Sequence, residues 1–174
     1  LAIAFCAMAM ALAVVTSMFK IIDMPMGGSV TLFSMLFIVL TGYWFGVRTG
    51  ITTAVAYGIL QLLINPYIIS IWQMLMDYVF AFGALGLAGL FSNKKKGLIK
   101  GYIAGILGRY FFSFLSGWIF FAVYTPDFFN SAILYSLAYN GAYIGLEAAI
   151  TLIVLALPPV NEAMQAVKKL VCEA

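Results

Sequence analysis

Long apolar runs separated by short polar segments dominate the hydrophobic pattern of this chain. The six runs cover about residues 1–19, 30–45, 51–64, 70–91, 98–123 and 133–157. A helix that crosses a bilayer needs about 20 mostly apolar residues, whereas a membrane barrel alternates apolar and polar residues in short segments. The pattern therefore predicts an all-α integral membrane protein, a single domain over residues 1–174 built as one bundle of six transmembrane helices.

The polar segments between the runs carry the signals of turns and helix ends. The segments are KIIDMPMGGS, GVRTG, NPY, SNKKKG and YTPDFFNS. Proline removes a backbone donor and restricts the residue before it, so NPY should end the third helix and Pro158-Pro159 the sixth. The tail that follows, NEAMQAVKKLV, is predicted as a short amphipathic helix at the membrane surface.

Composition and charge support this interpretation and give the bundle an orientation. Hydrophobic residues make up 65% of the chain and charged residues only 9%, with a mean hydropathy of +1.09, whereas soluble domains carry about 25% charged residues. The net charge of +3 is too small to indicate nucleic-acid binding. One set of loops holds seven basic residues and the other set holds Lys20 alone; the seven are Arg48, Lys94, Lys95, Lys96, Lys100, Lys168 and Lys169.

The positive-inside rule places the basic loops in the cytoplasm. With six spans, both termini should be cytoplasmic, and the loops at 20–29, 65–69 and 124–131 should face outward. The sequence thus predicts a multi-pass membrane protein. The chain has no histidine, so it lacks the commonest metal ligand and general base. We expect no metal site and no catalytic residue.

Three ionisable residues lie inside the predicted spans, namely Asp77, Arg109 and Glu147. A charge in hydrocarbon costs at least about 2.5–3.5 kcal/mol, so such residues usually face the bundle interior and a partner or ligand. Asp77 should lie roughly 10 Å below the outer end of the fourth helix. An alternative interpretation is that Asp77 only pairs with Arg109 to hold two helices together. Glu147 lies deeper, where a hydrogen bond between helices is expected.

Polar and aromatic residues near Arg109 form a stripe on the fifth helix. Arg109, Ser113, Gly117 and Phe121 recur every four residues and share one face. The outer half of the sixth helix carries Tyr135, Tyr139, Asn140 and Tyr143. Helix packing by small residues is the alternative for Ser113 and Gly117, and membrane anchoring is the alternative for Tyr135. Together with Asp77, these groups suit a small, flat molecule that is cationic or rich in nitrogen.

Four segments of the chain resemble one family across nearly its whole length. MPMGGSV, DYVFAFGALGLAGLF, GRYFFSFLSGWIFFAVYTP and YSLAYNGAY are similar to the thiamine-specific substrate-binding S component of energy-coupling-factor (ECF) transporters. The resemblance implies a six-helix domain that holds thiamine near its outer face and needs no cofactor. It also implies the ligand-binding residues, which are Asp77, Tyr78, Arg109, Ser113, Gly117, Phe121, Tyr135 and Asn140.

Two departures from the family pattern bear on the ligand. Ser113 stands where members of the family have a histidine that stacks on the ligand. The first outer loop lacks a tryptophan found in some members, so Met24, Met26 or Phe33 is expected to cover the ligand. The chain therefore has either a looser thiamine pocket or a preference for a thiamine analogue or pyrimidine precursor.

The resemblance also implies partners that supply energy. The family joins a transmembrane coupling protein and two cytoplasmic ATPases. This chain has no GxxxxGK[ST] phosphate loop, in keeping with a subunit that does not hydrolyse ATP. Docking in the family uses small residues of the first helix, here Ala4, Ala7 and Ala11. Ala9 and Ala13 form a neighbouring stripe, and packing within the bundle explains either stripe equally well.

Two other classes of function compete with a transport subunit. A membrane enzyme needs acid–base groups or metal ligands in one pocket, and Asp77 and Glu147 lie at different depths. A self-sufficient proton-coupled carrier would use titration of Asp77. Such carriers often contain internal repeats, and the sequence shows none.

Overall fold

The protein consists of seven helices and one short antiparallel β-hairpin. The structure is a computed structural model that describes all 174 residues. The helices are α1 Ala2–Met18, α2 Ser34–Phe45, α3 Val47–Ile64, α4 Ile71–Phe91, α5 Gly97–Phe120, α6 Ala132–Ala156 and α7 Pro158–Glu173. The hairpin pairs β1 Lys20–Asp23 with β2 Ser29–Thr31. Short 3₁₀ turns lie at Pro25–Gly27 and Ala122–Tyr124.

Four helices, α3 to α6, are long and apolar enough to cross a membrane, and α1 and α2 are shorter apolar helices of 17 and 12 residues. The chain is therefore a mostly helical membrane protein, with a helix at each of the six predicted places. The second run was expected to be helical from about Val30. Instead α2 begins at Ser34, because residues 29–31 pair with β1 as a strand.

The turn between α2 and α3 is shorter than the sequence predicts. The tight turn predicted over GVRTG consists of Gly46 alone, which has φ of 90° and separates α2 from α3. Glycine adopts this φ without the steric cost that a Cβ would add. As expected, α3 ends at Ile64, just before Asn65 and Pro66.

The C-terminal helix α7 packs against the bundle through its apolar face. Val160 and Met164 contact the hydrophobic core, and Val171 is buried. The Lys168 ammonium lies 3.9 Å from the centroid of the Tyr43 ring and donates a hydrogen bond to Ser92 O. The predicted amphipathic helix thus exists, but its apolar side covers the end of the bundle.

Close backbone contacts hold α2, α3 and α4 together at the end opposite the hairpin. A Cβ on Gly50 would lie 2.6 Å from Gly42 Cα, and one on Gly86 would lie 2.3 Å from Ile51 N. Small residues allow such approach between membrane helices. This end carries the seven basic residues named above, in the 92–96 loop, the first turns of α3 and α5, and α7. The hairpin end carries Lys20 with Asp23 and Asp127.

Candidate functional site

A cavity of about 380 Å³ lies at the hairpin end of the bundle. Its lining comes from α1, the hairpin, α2, α3, the 65–67 segment, α4, α5 and α6. All eight residues that the sequence assigned to a ligand site line this cavity: Asp77, Tyr78, Arg109, Ser113, Gly117, Phe121, Tyr135 and Asn140. The structure therefore brings them together, while their contacts with a ligand remain a prediction.

Asp77 lies in an unusual turn of α4. Residues Leu75–Phe80 form a π-helical segment between α-helical Ile71–Met74 and the rest of α4. Single π turns inside helices are frequent at functional sites. Asp77 is partly exposed to the cavity, and its Oδ2 accepts a hydrogen bond of 2.5 Å from Gln73 Nε2.

Arg109 and Asp77 form no ion pair; the salt bridge in the chain joins Lys20 to Asp23 at 3.6 Å. The Arg109 guanidinium carbon instead lies 4.6 Å from the centroid of the Phe82 ring and 5.9 Å from that of Tyr143. Aromatic faces attract cations through their quadrupole. The interpretation in which the two charges only pair to join helices is therefore wrong.

Tyr78 connects α4 to the segment that precedes it. Its hydroxyl donates to Asn65 O at 3.0 Å and accepts from Tyr67 N at 2.9 Å. Tyr67 in turn stacks on Phe121, with ring centroids 5.8 Å apart. Tyr78 thus fixes the segment at residues 65–70, which covers the outer side of the cavity.

Asn140 lies between α5 and α6 and is only 4% exposed. Its amide nitrogen donates to Ser136 O at 2.9 Å and to Ser113 O at 3.2 Å, while its Oδ1 accepts from Tyr143 OH at 2.9 Å. Gly117 allows this approach, because a Cβ there would lie 2.3 Å from Ser136 Oγ. Asn140 and Gly117 therefore join the two helices in the wall of the cavity.

The hairpin covers the cavity and was not predicted from the sequence. Its turn residues Met26, Gly27 and Gly28 line the cavity. The Tyr139 hydroxyl accepts from Gly28 N at 2.9 Å and donates to Pro25 O. Of the three candidates for covering the ligand, Met26 lines the cavity and Met24 and Phe33 do not.

The wall opposite α5 contains a polar cluster that sequence reasoning missed. Gln61 Nε2 donates to Ser17 Oγ and to Tyr57 OH, both at 2.9 Å. All three residues line the cavity. The spacing of Tyr57 and Gln61, four residues apart on α3, was the available signal.

Glu147 lies behind this wall and outside the cavity lining. Its Oε1 accepts from Thr31 Oγ1 at 2.6 Å and from Ser34 Oγ at 2.9 Å. The expected hydrogen bond between helices is confirmed, and it also fixes the second strand of the hairpin.

The assembled cavity can bind a ligand of defined chemistry. Asp77 is the one carboxylate in its lining, and it faces several aromatic rings and the Arg109 guanidinium. A carboxylate accepts hydrogen bonds from amino groups and offsets positive charge, while aromatic rings stack on flat ligands.

Comparison with known proteins identifies the family. The family described as thiamine transporter protein (Thia_YuaJ) matches residues 3–167. The chain belongs to this thiamine transporter family. One relative, the thiamine transporter ThiT of Bacillus subtilis (strain 168), is 34% identical over 165 residues, covering 87% of this chain and 84% of that protein.

The fold of this thiamine transporter family member matches a solved structure. ThiT from Listeria monocytogenes superimposes with a TM-score of 0.73 at 24% sequence identity, covering 91% of this chain and 94% of that one. The resemblance drawn from the four sequence segments is confirmed. Membership of a transporter family implies a transport subunit and not an enzyme.

Proposed function

We propose that this protein is the high-affinity thiamine-binding subunit of an ATP-driven vitamin importer. It captures the vitamin at the outer face and delivers it inward with a shared energising module. The observation that carries the proposal is the meeting of one unpaired carboxylate and several aromatic rings, from separate helices, in one covered cavity. Its volume of about 380 Å³ lies in the range of about 300–1,000 Å³ typical of small-molecule sites.

The chemistry of thiamine suits this lining. The molecule has a positively charged thiazolium ring and a flat aminopyrimidine. Asp77 offsets the charge or accepts from the amino group, and Phe121 and Tyr135 offer faces for stacking. Because no cation pairs with Asp77 in the chain, its charge remains available to the ligand.

The orientation of the bundle follows from its charges. Seven basic residues lie in the loop and helix ends opposite the cavity and in α7, and basic residues flanking the spans stay in the cytoplasm. We infer six crossings of a bacterial cell membrane, with both termini inside and the cavity at the outer face.

The first helix offers a surface for the transmembrane coupling protein, which would join this chain to two cytoplasmic ATPases. Ala4, Ala7 and Ala11 are exposed, whereas Ala9 and Ala13 are 3% and 0% exposed inside the bundle. The exposure pattern supports docking by Ala4, Ala7 and Ala11, because the neighbouring residues Ala9 and Ala13 are already packed inside the bundle.

A binding titration with Asp77→Asn tests the proposal. This variant should weaken thiamine affinity at least about tenfold, or about 1.4 kcal/mol, because the ligand loses its charged partner. Quenching of tryptophan emission in purified protein reports the binding. Asp127→Asn, in an exposed loop outside the cavity lining, should bind as the unsubstituted protein does. Equal affinity for Asp77→Asn would reject this role.

A second candidate is import of a thiamine analogue or pyrimidine precursor, which Ser113 in the lining favours. Mass spectrometry of small molecules that copurify with the protein separates the two candidates. Uptake by the chain alone in liposomes under a proton gradient would instead indicate a self-sufficient carrier.

A further inference from the structure

Gln73 lies at the first turn of α4 and has every polar atom of its side chain engaged. The residue is 1% exposed. Its Nε2 donates to Asp77 Oδ2 at 2.5 Å and to Tyr67 O at 3.1 Å, while its Oε1 accepts from Ile69 N at 2.9 Å. A buried amide with partners on both its oxygen and its nitrogen has one favourable orientation.

The amide connects the carboxylate of the cavity to the segment that covers it. Tyr67, whose carbonyl accepts from Gln73, stacks on Phe121 at the outer side of the cavity. The Tyr67 side chain also packs near Gly27 of the hairpin, where a Cβ would lie 3.4 Å from Tyr67 Cβ. Gln73 therefore contacts both Asp77 and the covering segment at 65–70.

The charge of this partner matters as much as its geometry. An arginine or lysine beside Asp77 would orient the carboxylate but also cancel its charge. A glutamine amide orients it and remains neutral. The negative charge is then left for a cationic ligand in the cavity.

We propose that Gln73 is a positioning residue, whose amide holds the Asp77 carboxylate for the ligand and links its orientation to the position of segment 65–70. The inference rests on the proposed function, since it requires Asp77 to contact the ligand. Gln73 lines the cavity but is only 1% exposed, with its amide turned to Asp77 and the 65–70 segment, whereas Asp77 is partly exposed to the cavity. Gln73 is therefore expected to act through Asp77.

A double-mutant cycle with Gln73→Met and Asp77→Asn tests this role in the full chain. Methionine keeps the length of the side chain and removes both hydrogen-bonding groups. Gln73→Met alone should weaken thiamine binding about fivefold, and in the Asp77→Asn background it should change binding less than about twofold. The measurement is thiamine titration, paired with thermal unfolding of each purified variant.

Ser70→Ala is the matched control. The Ser70 hydroxyl caps the same helix by accepting from Gln73 N at 3.1 Å, and its loss leaves the Gln73 amide in place. This variant should lower thermal stability, and any effect on thiamine affinity should be the same with or without Asp77→Asn. If the methionine variant does not fold, Gln73→Asn replaces it, because it keeps an amide on a shorter side chain. Gln73→Asn should lose thiamine affinity only when Asp77 is present.

The outcomes separate this inference from the proposed function. Suppose that Asp77→Asn weakens binding and that the double variant loses thiamine affinity by the product of the two single fold-changes. Gln73 then has only a structural role, and the inference is overturned. If Asp77→Asn leaves binding unchanged, the recognition role of Asp77 fails, and with it the role of Gln73.

Discussion

At the scale of single residues, the cavity lining holds the opposite charges of Asp77 and Arg109, which form no ion pair. Asp77 is bound by the Gln73 amide, and Arg109 lies over the rings of Phe82 and Tyr143. Charges in a membrane normally need a compensating partner. Here the partners of both charges are neutral groups, so the negative charge of the Asp77 carboxylate remains available to a ligand in the cavity.

The stripe on α5 yields a prediction at Ser113. This residue is 6% exposed and lines the cavity between Arg109 and Gly117. Ser113→His should raise thiamine affinity about two- to tenfold, because a ring stacked on the ligand contributes about 0.5–1.5 kcal/mol. Fluorescence titration measures the change. Ser113→Ala, which adds no ring, is the control, and equal affinities for both variants would refute the stacking argument.

At the scale of secondary structure, the π turn of α4 depends on a glycine of its neighbour. A Cβ on Gly58 of α3 would lie 1.8 Å from Tyr78 O. The helices approach so closely that only glycine fits, and the position of Asp77 and Tyr78 relative to α3 follows from this contact.

Gly58→Ala should therefore both destabilise the protein and weaken ligand binding. Overpacking of a close contact typically costs about 1–3 kcal/mol, and separation of α3 from α4 would move Asp77. Thermal unfolding and thiamine titration give the two readouts. Gly145→Ala on α6 is the control, since no atom lies within 4 Å of the added Cβ, and it should be neutral or slightly stabilising. Equal behaviour of the two variants would show that the contact is unimportant.

At the scale of the whole molecule, the two ends of the bundle differ in both charge and packing. The cavity and hairpin occupy the end with Lys20, and the glycine contacts and α7 occupy the end with the seven other basic residues. This difference between the two ends agrees with the proposed orientation, in which the cavity lies at the outer face.

The chain's two cysteines test this orientation directly. Cys172 is exposed on α7, and Cys6 is buried. A membrane-impermeant maleimide should label Cys172 in inside-out vesicles but not in right-side-out vesicles, because α7 lies at the end with the basic loops. Cys172→Ser measures the background from Cys6. Labelling in right-side-out vesicles would reverse the proposed topology.

The sequence predicts those features that depend on neighbours along the chain. Helix positions follow from apolar runs, and the four-residue spacing from Arg109 to Phe121 correctly places these side chains on the cavity face. The hairpin depends on pairing between β1 and β2, whose residues are typical of a turn-rich loop. The π turn depends on Gly58 of another helix, and the role of Gln73 depends on a loop carbonyl and amide. The four-residue spacing of Gln73 and Asp77 could have indicated their contact. The strand pairing, the role of Gly58 and the contact with the Tyr67 carbonyl cannot be predicted from local spacing.

The contact of Gly42, Gly50 and Gly86 with neighbouring backbones has a consequence for the path of a transported molecule. Beneath the cavity the backbones of α2, α3 and α4 already touch, so no free volume lies between these three helices at the contacts. A vitamin moving straight down between α2, α3 and α4 would have to part main chains over several turns. The proposed import therefore predicts a route for the vitamin that does not pass between these three helices.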